Sequence, residues 1–365
     1  MSNLKILFIA LEYPYWVWAR QWSYGAQLAF EEGFQENGVE CFPVTTLWLP
    51  RIKELTAGQK FDQVWLEVAH TKIDETLLEW IAGLAPVRVG MIPESLEYSE
   101  DEWHLNPNLK GRRHLVESRL KYLTHIIAVD ERDVDILNTN KNIRALWWPS
   151  AVPRRCIIEK PVANPKKQGA FIGSVYYQRA TLLQSPDLEG LLVKQPSSEK
   201  GTIYPFLFTA LHLIMRGYIK CRLPGTKSFN RFYIRSLRKL RRTTYTLWLE
   251  ALQNNAAVVN LPSLCKAYPS RVIEGIAAGR PVISWEIPDR PRNKDLFDDG
   301  KEILLYSGID PQQLARHIKT VIDDPVRAEQ IALRARSKLL KYHTIEKRVD
   351  QILTWIRTGE VPIYI

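Results

Sequence analysis

Two periods of apolar spacing alternate along this chain. Residues 4–10 (LKILFIA) form a nearly unbroken apolar run, as expected of a strand buried on both faces. From Tyr24 to Asn37 the apolar positions recur at helical spacing, and Gly38 supplies a stop. The exchange continues, with strands predicted over 39–44, 61–68, 87–92, 126–129 and 143–147 and helices over 73–84, 115–123 and 131–138. Strand–helix alternation of this kind predicts a parallel sheet with right-handed crossovers.

Between Trp148 and Gln168 the pattern lapses into charges and four prolines, Pro149, Pro153, Pro161 and Pro165, which reads as a hinge. Alternation then resumes. Strands are predicted over 169–172, 256–261, 281–285 and 302–306, and helical patterns over 205–254, 271–278, 311–322, 326–342 and 345–357. The fold class is therefore α/β, with two Rossmann-like doubly wound domains facing a central cleft. Residues 1–155 form the first, 166–342 the second, and 343–365 a last helix and tail that can cross back to the first. Sheets of this type bind ligands beyond the carboxyl ends of their strands, so the cleft is the expected site.

Composition narrows the class. Of 365 residues, 45% are hydrophobic and 25% charged, which excludes a disordered or fibrous chain. Fifty Lys and Arg against 40 Asp and Glu leave a net charge of +10, which favours anionic partners. Cys41, Cys156, Cys221 and Cys265 lie too far apart for a zinc or disulfide framework, and no histidines have metal-ligand spacing. The apolar run at the start is too short to span a membrane and no cleavage site follows it. A cytoplasmic protein, possessing access to nucleotide-activated metabolites, is expected.

The segment richest in chemistry is residues 268–285, YPSRVIEGIAAGRPVISW. Ser270 is placed to cap a short helix that Gly279 ends and Pro281 prevents from continuing. The open N-terminus suits a phosphate, and Arg271 adds a permanent cation able to grip a diphosphate. One turn further in, the carboxylate of Glu274 has the reach to accept from the two hydroxyls of a ribose. Gly275, Ala277 and Ala278 allow close packing on the sheet. A purely structural reading is also open, in which Ser270 caps, Glu274 complements the dipole and the small residues pack.

RVIEGIAAGRPVISW resembles the donor-binding helix of nucleotide-sugar glycosyltransferases with the GT-B fold. The segments that follow resemble the same superfamily: LFDDGKEILLY (296–306), DPQQL (310–314), DPVR (324–327), then His343-Thr344 and Arg348. Their order is similar to that of group 1 enzymes of the spore-maturation-protein-like kind, over about residues 245–356. Upstream, FIGS (171–174) with Arg179, IIAVDE (126–131) and WPSAV (148–152) resemble other parts of the family pattern. The resemblance implies transfer of a sugar from a UDP- or GDP-type donor without a tightly held metal or other cofactor. It implies that Glu274 holds the ribose, that Ser270 and Arg271 meet the diphosphate, that Gly173 lets backbone approach the donor, and that Arg179 neutralises phosphate. Retaining members often carry a glutamate where this chain has Lys266, so the stereochemistry stays open. Lys266 could bind phosphate or simply be solvated, and solvation is the expectation.

The acceptor side is read from the first domain. LEYPYWVWARQW (11–22) is an aromatic loop at the sheet's ligand edge, either a binding surface or a plug, and Gly25 opens the next helix. An inverting transfer needs a base, and Glu94, Glu97, His104 and Asp130 follow strands, with Glu94 nearest a strand end. Arg231, Arg235, Arg238 and Arg242 share one face of a helix over 229–247, opposite Phe229, Phe232, Leu237, Leu240 and Leu247. That face is either solvated or a contact with anionic lipid headgroups, which would suit a membrane-bound acceptor. The acceptor itself, whether glycan, lipid-linked or protein, is not legible. No nucleic-acid motif is present, which argues against a nucleic-acid partner. Two rivals share the donor helix: a nucleotide-sugar epimerase, and a glycosyltransferase-like subunit that binds without catalysing.

Overall fold

The computed structural model describes residues 4–12, 28–71, 73–140, 142–176, 178–194 and 203–365. The aromatic loop from Tyr13 onward and Gly25 lie outside them. The first lobe contains β1 (Lys5–Ala10), α1 (Leu28–Glu36), β2 (Glu40–Thr45), α2 (Ile52–Thr56), β3 (Gln63–Glu67), α3 (Glu75–Ala82), β4 (Val87–Ile92), α4 (Glu100–Leu105), α5 (Arg112–Arg119), β5 (His125–Ala128), α6 (Glu131–Leu137) and β6 (Arg144–Trp147). The second contains β7 (Lys166–Phe171), α7 (Gln178–Leu183), β8 (Leu192–Lys194), α8 (Ile203–Lys220), α9 (Thr226–Gln253), β9 (Asn255–Asn260), α10 (Ser270–Ala277), β10 (Val282–Trp285), α11 (Pro291–Asp295), β11 (Leu304–Tyr306), α12 (Pro311–Asp323) and α13 (Pro325–Tyr342). The chain then forms α14 (Ile345–Thr358).

Both sheets are parallel, in the orders β2-β1-β3-β4-β5-β6 and β11-β10-β9-β7-β8. Helices flank them, giving two Rossmann-like domains. The apolar run of β1 explains its central place: Ile6, Leu7, Phe8 and Ile9 are fully buried, as a strand covered on both faces requires. The segments that follow β4 and β5 face those that follow β7, β9 and β10 across a cleft.

The last helix returns to the first lobe. α14 packs along α1, where a Cβ at Gly33 would stand 2.5 Å from Val349 Cγ2 and 2.9 Å from the Ile345 carbonyl. Asn37 Nδ2 donates to the Glu346 carbonyl, and Val152 bridges to Thr344. His343 and Arg348, prominent in the sequence, are buried and bonded to each other at 2.9 Å; they anchor this crossover.

Three expectations change. The helical stretch 205–254 is a hairpin of α8 and α9, broken at Leu223-Pro224-Gly225, where Gly225 takes φ 82°. α10 begins at Ser270 itself, with Pro269 in the cap position, so Ser270 is the first helical residue and not the cap. The basic face of α9 is not a free surface throughout. Arg238 pairs with Glu31, Arg242 with Glu32 at 2.7 Å, and Arg241 with Glu12 at 2.7 Å, so half of that face clasps the first lobe.

Candidate active site

The cleft has a volume of about 290 Å³ and draws its walls from both lobes. Glu97, Glu102 and Arg132 come from the first, and Tyr176, Lys266 and Trp285 from the second. Lys266 is not solvated as expected. Its ammonium donates to Glu102 Oε2 at 3.1 Å and to the Glu97 carbonyl at 3.0 Å, and its amide donates to Ser95 Oγ at 2.8 Å. Lys266 therefore ties the two walls together. The carboxylate that receives it belongs to a capping box, Ser99 with Glu102, that starts α4.

In the second lobe, the loop leaving β7 and the start of α10 meet. Arg271 reaches back from the helix. Its Nε donates to the Ile172 carbonyl at 2.6 Å and its Nη1 to Asn260 Oδ1 at 3.1 Å. Gly173 makes room for it, since a Cβ there would lie 2.6 Å from Arg271 Nη2 and 2.9 Å from the Phe171 ring. Arg179 is buried, and its guanidinium bridges the Pro262 and Ser174 carbonyls while stacking on Tyr176 at 4.3 Å. Both guanidiniums approach the Phe171 ring, Arg271 at 4.8 Å and Arg179 at 5.2 Å. Among the described residues neither forms an ion pair with a carboxylate. Burial, reinforced by the positive charge of Arg179, pushes Arg271 down to about 10. The like charges of Arg179 and Arg271 oppose each other, with the charge of Glu274 acting against this at Arg271, and a bound diphosphate would pair with both.

Glu274 has a different neighbour from the ribose expected of it. Only 2% of its surface is exposed, and Trp248 Nε1 of α9 donates to its Oε2 at 2.9 Å. Burial raises its carboxyl above the usual carboxylate range, against the hydrogen bond from Trp248 and the charge of Arg271. Ser270 and Tyr245 also bond with it. In this conformation Glu274 fastens α10 to α9 and does not line the cleft.

In the first lobe a cluster of charged side chains gathers at strand ends. Glu67 closes β3 and is saturated: the amides of Ala69, His70 and Thr71 and the Thr71 hydroxyl all donate to it. His70 Nδ1 lies 2.9 Å from Glu67, and its Nε2 lies 3.3 Å from Glu94, which also accepts from Arg112 at 2.6 Å. Although burial opposes ionisation in each, the mutual bonds win. His70 rises to about 9 and Glu94 falls to about 2. So at neutral pH Glu94 is an ionised, weakly basic carboxylate inside a charge network. Asp130 is also committed: fully buried, it takes a bidentate pair from Arg290 of the opposite lobe, at 2.5 and 3.0 Å, while capping α6. His104 sits exposed on α4, outside the cleft lining. Of the four candidate bases, Glu97 is among the residues lining the cleft, while Glu94, His104 and Asp130 are not brought together. Glu67, His70 and Arg112 were missed by the sequence reading, although a glutamate and a histidine three apart at the end of a predicted strand were visible in EVAH (67–70).

The two lobes and the cleft between them have GT-B architecture. Residues 207–354 match a family profile described as glycosyl transferase-like. Among solved structures, the fold is similar to HepE of Anabaena in complex with UDP-glucose, at 13% identity and TM-score 0.55, over 98% of this chain and 100% of that one. It is also similar to a glycosyltransferase of Rickettsia africae ESF-5, at 11% identity and TM-score 0.52, over 97% and 98% of the two chains. No curated protein matches the sequence.

Proposed function

We propose that the protein transfers a sugar, a hexose in the first instance, from a nucleoside-diphosphate sugar to an acceptor hydroxyl at the first lobe. The observation that carries this reading is the pair of guanidiniums, Arg271 and Arg179, held over Phe171 beside the start of α10 with no ion pair to a carboxylate among the described residues. In the reaction the bond between the anomeric carbon and the diphosphate oxygen breaks, the acceptor oxygen bonds to that carbon, and the hydroxyl proton leaves to a base. Charge grows on the departing diphosphate, and fixed cations and helix amides aimed at it lower the barrier. Arg271 makes the direct contact in this account. Arg179 holds the loops after β7 and β9 in place and adds its field from beneath Tyr176. These groups do the work a metal would otherwise do. HepE was solved with UDP-glucose, which makes UDP the first nucleotide to test and GDP the second.

Ser270 contributes an amide and Glu274 a ribose contact in this proposal. For that contact the Glu274 carboxyl must turn from Trp248. Residues 1–155 serve the acceptor, 166–342 the donor, and 343–365 the crossover. A cytoplasmic enzyme of the spore-maturation-like kind is the finer reading, with a glycan, lipid-linked or protein acceptor. The test is a thermal-shift series with UDP, GDP and their sugars, followed by NMR of the nucleotide sugar alone and with candidate acceptors. A nucleotide that binds the native state raises the melting temperature. Release of UDP that depends on acceptor supports transfer. A sugar epimerised without acceptor, or binding without any turnover, would instead identify one of the two rivals.

A further inference from the structure

The hairpin of α8 and α9 carries a surface that sugar transfer does not use. The inner face of α8 is core: Phe208, Leu211, Met215 and Tyr218 are buried against α9 and the first lobe. The outer face is apolar as well. Ile203, Phe206, Leu207, Ala210, Leu213 and Ile214 follow each other at helical spacing and all are exposed, Phe206 by 73% and Leu213 by 61%. A continuous aliphatic stripe of this kind on a helix surface signals a partner.

Charge selects the partner. Residues 203–249 contain ten Lys and Arg and neither Asp nor Glu, so the hairpin accounts for the whole net charge of +10. Arg238, Arg241 and Arg242 are spent on the first lobe, and Lys227 Nζ on the Ala57 carbonyl. Lys220, Arg222, Arg231, Arg235 and Lys239 are exposed, the first two at the end of α8 and its turn and the others on α9. A second copy of this chain docked about a two-fold axis would set these cations against cations. An anionic bilayer meets both features, taking the stripe into its acyl boundary and the cations at its headgroups. No helix among the described residues is long and apolar enough to cross a membrane, which leaves in-plane docking as the mode.

We infer that α8 lies in the surface of an anionic membrane, with the exposed cations of the α8–α9 hairpin on the headgroups. The inference stands apart from the donor site and does not depend on it. The test is flotation of the full chain with vesicles of phosphatidylcholine alone or mixed with phosphatidylglycerol. Binding is expected to the mixed vesicles and to weaken with salt. F206D/L213D should lower the partition coefficient at least about tenfold, and R231E/R235E by a similar factor with loss of salt dependence. All four positions are exposed, so melting temperatures should not change, and this is checked on each variant. Equal affinity for neutral and anionic vesicles, or F206D/L213D binding like the parent, overturns the inference. So does a dimer in sedimentation that F206D/L213D dissolves.

Discussion

Arg271 and Gly173 are fitted to each other: the guanidinium occupies the space that any side chain at 173 would need, with 2.6 Å from its Nη2 to the site of a Cβ. The guanidinium is held in that space by the Ile172 carbonyl and Asn260. The position thus decides where the cation points, a role distinct from the close approach of donor to backbone first expected of Gly173.

Gly173→Ala should therefore displace Arg271 and weaken nucleotide binding. The expected loss is roughly tenfold, about 1.4 kcal/mol, the scale of one misplaced charged hydrogen bond. Titration calorimetry with UDP measures it, and an unchanged affinity would show that Arg271 is not a ligand.

The Asp130–Arg290 pair joins the lobes in a buried, bidentate contact. Asp130→Asn keeps the cap of α6 but leaves a buried arginine unpaired, which should cost about 3–5 kcal/mol. Adding Arg290→Met should restore much of the loss. Denaturant unfolding of the two single variants and the double variant gives the coupling energy.

Acidic residues at this interface predict an alkaline weakness. Burial, then the charge of Asp130, raises Asp133 to about 8, and burial raises Glu131 to about 7. In the unfolded chain both titrate near about 4. The folded state thus binds more protons between these values. Stability from these groups is complete below about pH 4 and is lost as pH rises through 7 and 8. His70, raised to about 9, adds a loss of the same sign at higher pH. Denaturation midpoints should fall from pH 5 to pH 8, and Asp133→Asn, whose Oδ can still accept from the Leu96 amide, should flatten the fall. An equally steep fall in that variant would contradict the assignment.

Gly33→Ala should loosen the crossover. The added methyl meets Val349 and the Ile345 carbonyl inside van der Waals distance, and overpacking of this degree costs about 1–3 kcal/mol. Urea unfolding of the variant measures the loss.

Strand–helix alternation made both sheets legible in advance, because strands covered on both faces carry apolar runs with little ambiguity. β1, β4 and α10 lie where their patterns put them, within a residue or two. β8 did not announce itself: three residues at a sheet edge bury too little to leave a pattern. The α10 segment was recognisable because its stop and small-residue face are local, although its cap fell one residue earlier than expected. What Glu274 and Lys266 touch was not, since Trp248 lies 26 residues away and Glu102 lies 164 away. The basic stripe of α9 showed the same limit. Periodicity placed its arginines on one face, and only the tertiary arrangement revealed Glu12, Glu31 and Glu32 opposite them.

The most direct measurement is calorimetric titration of UDP and UDP-glucose into the parent chain and Arg271→Met, each with its melting temperature recorded. The account predicts saturable binding to the parent and at least a tenfold weaker constant for the variant, about 1.4 kcal/mol or more. Equal affinity in the two proteins, or a parent that binds no nucleoside diphosphate at all, would contradict it.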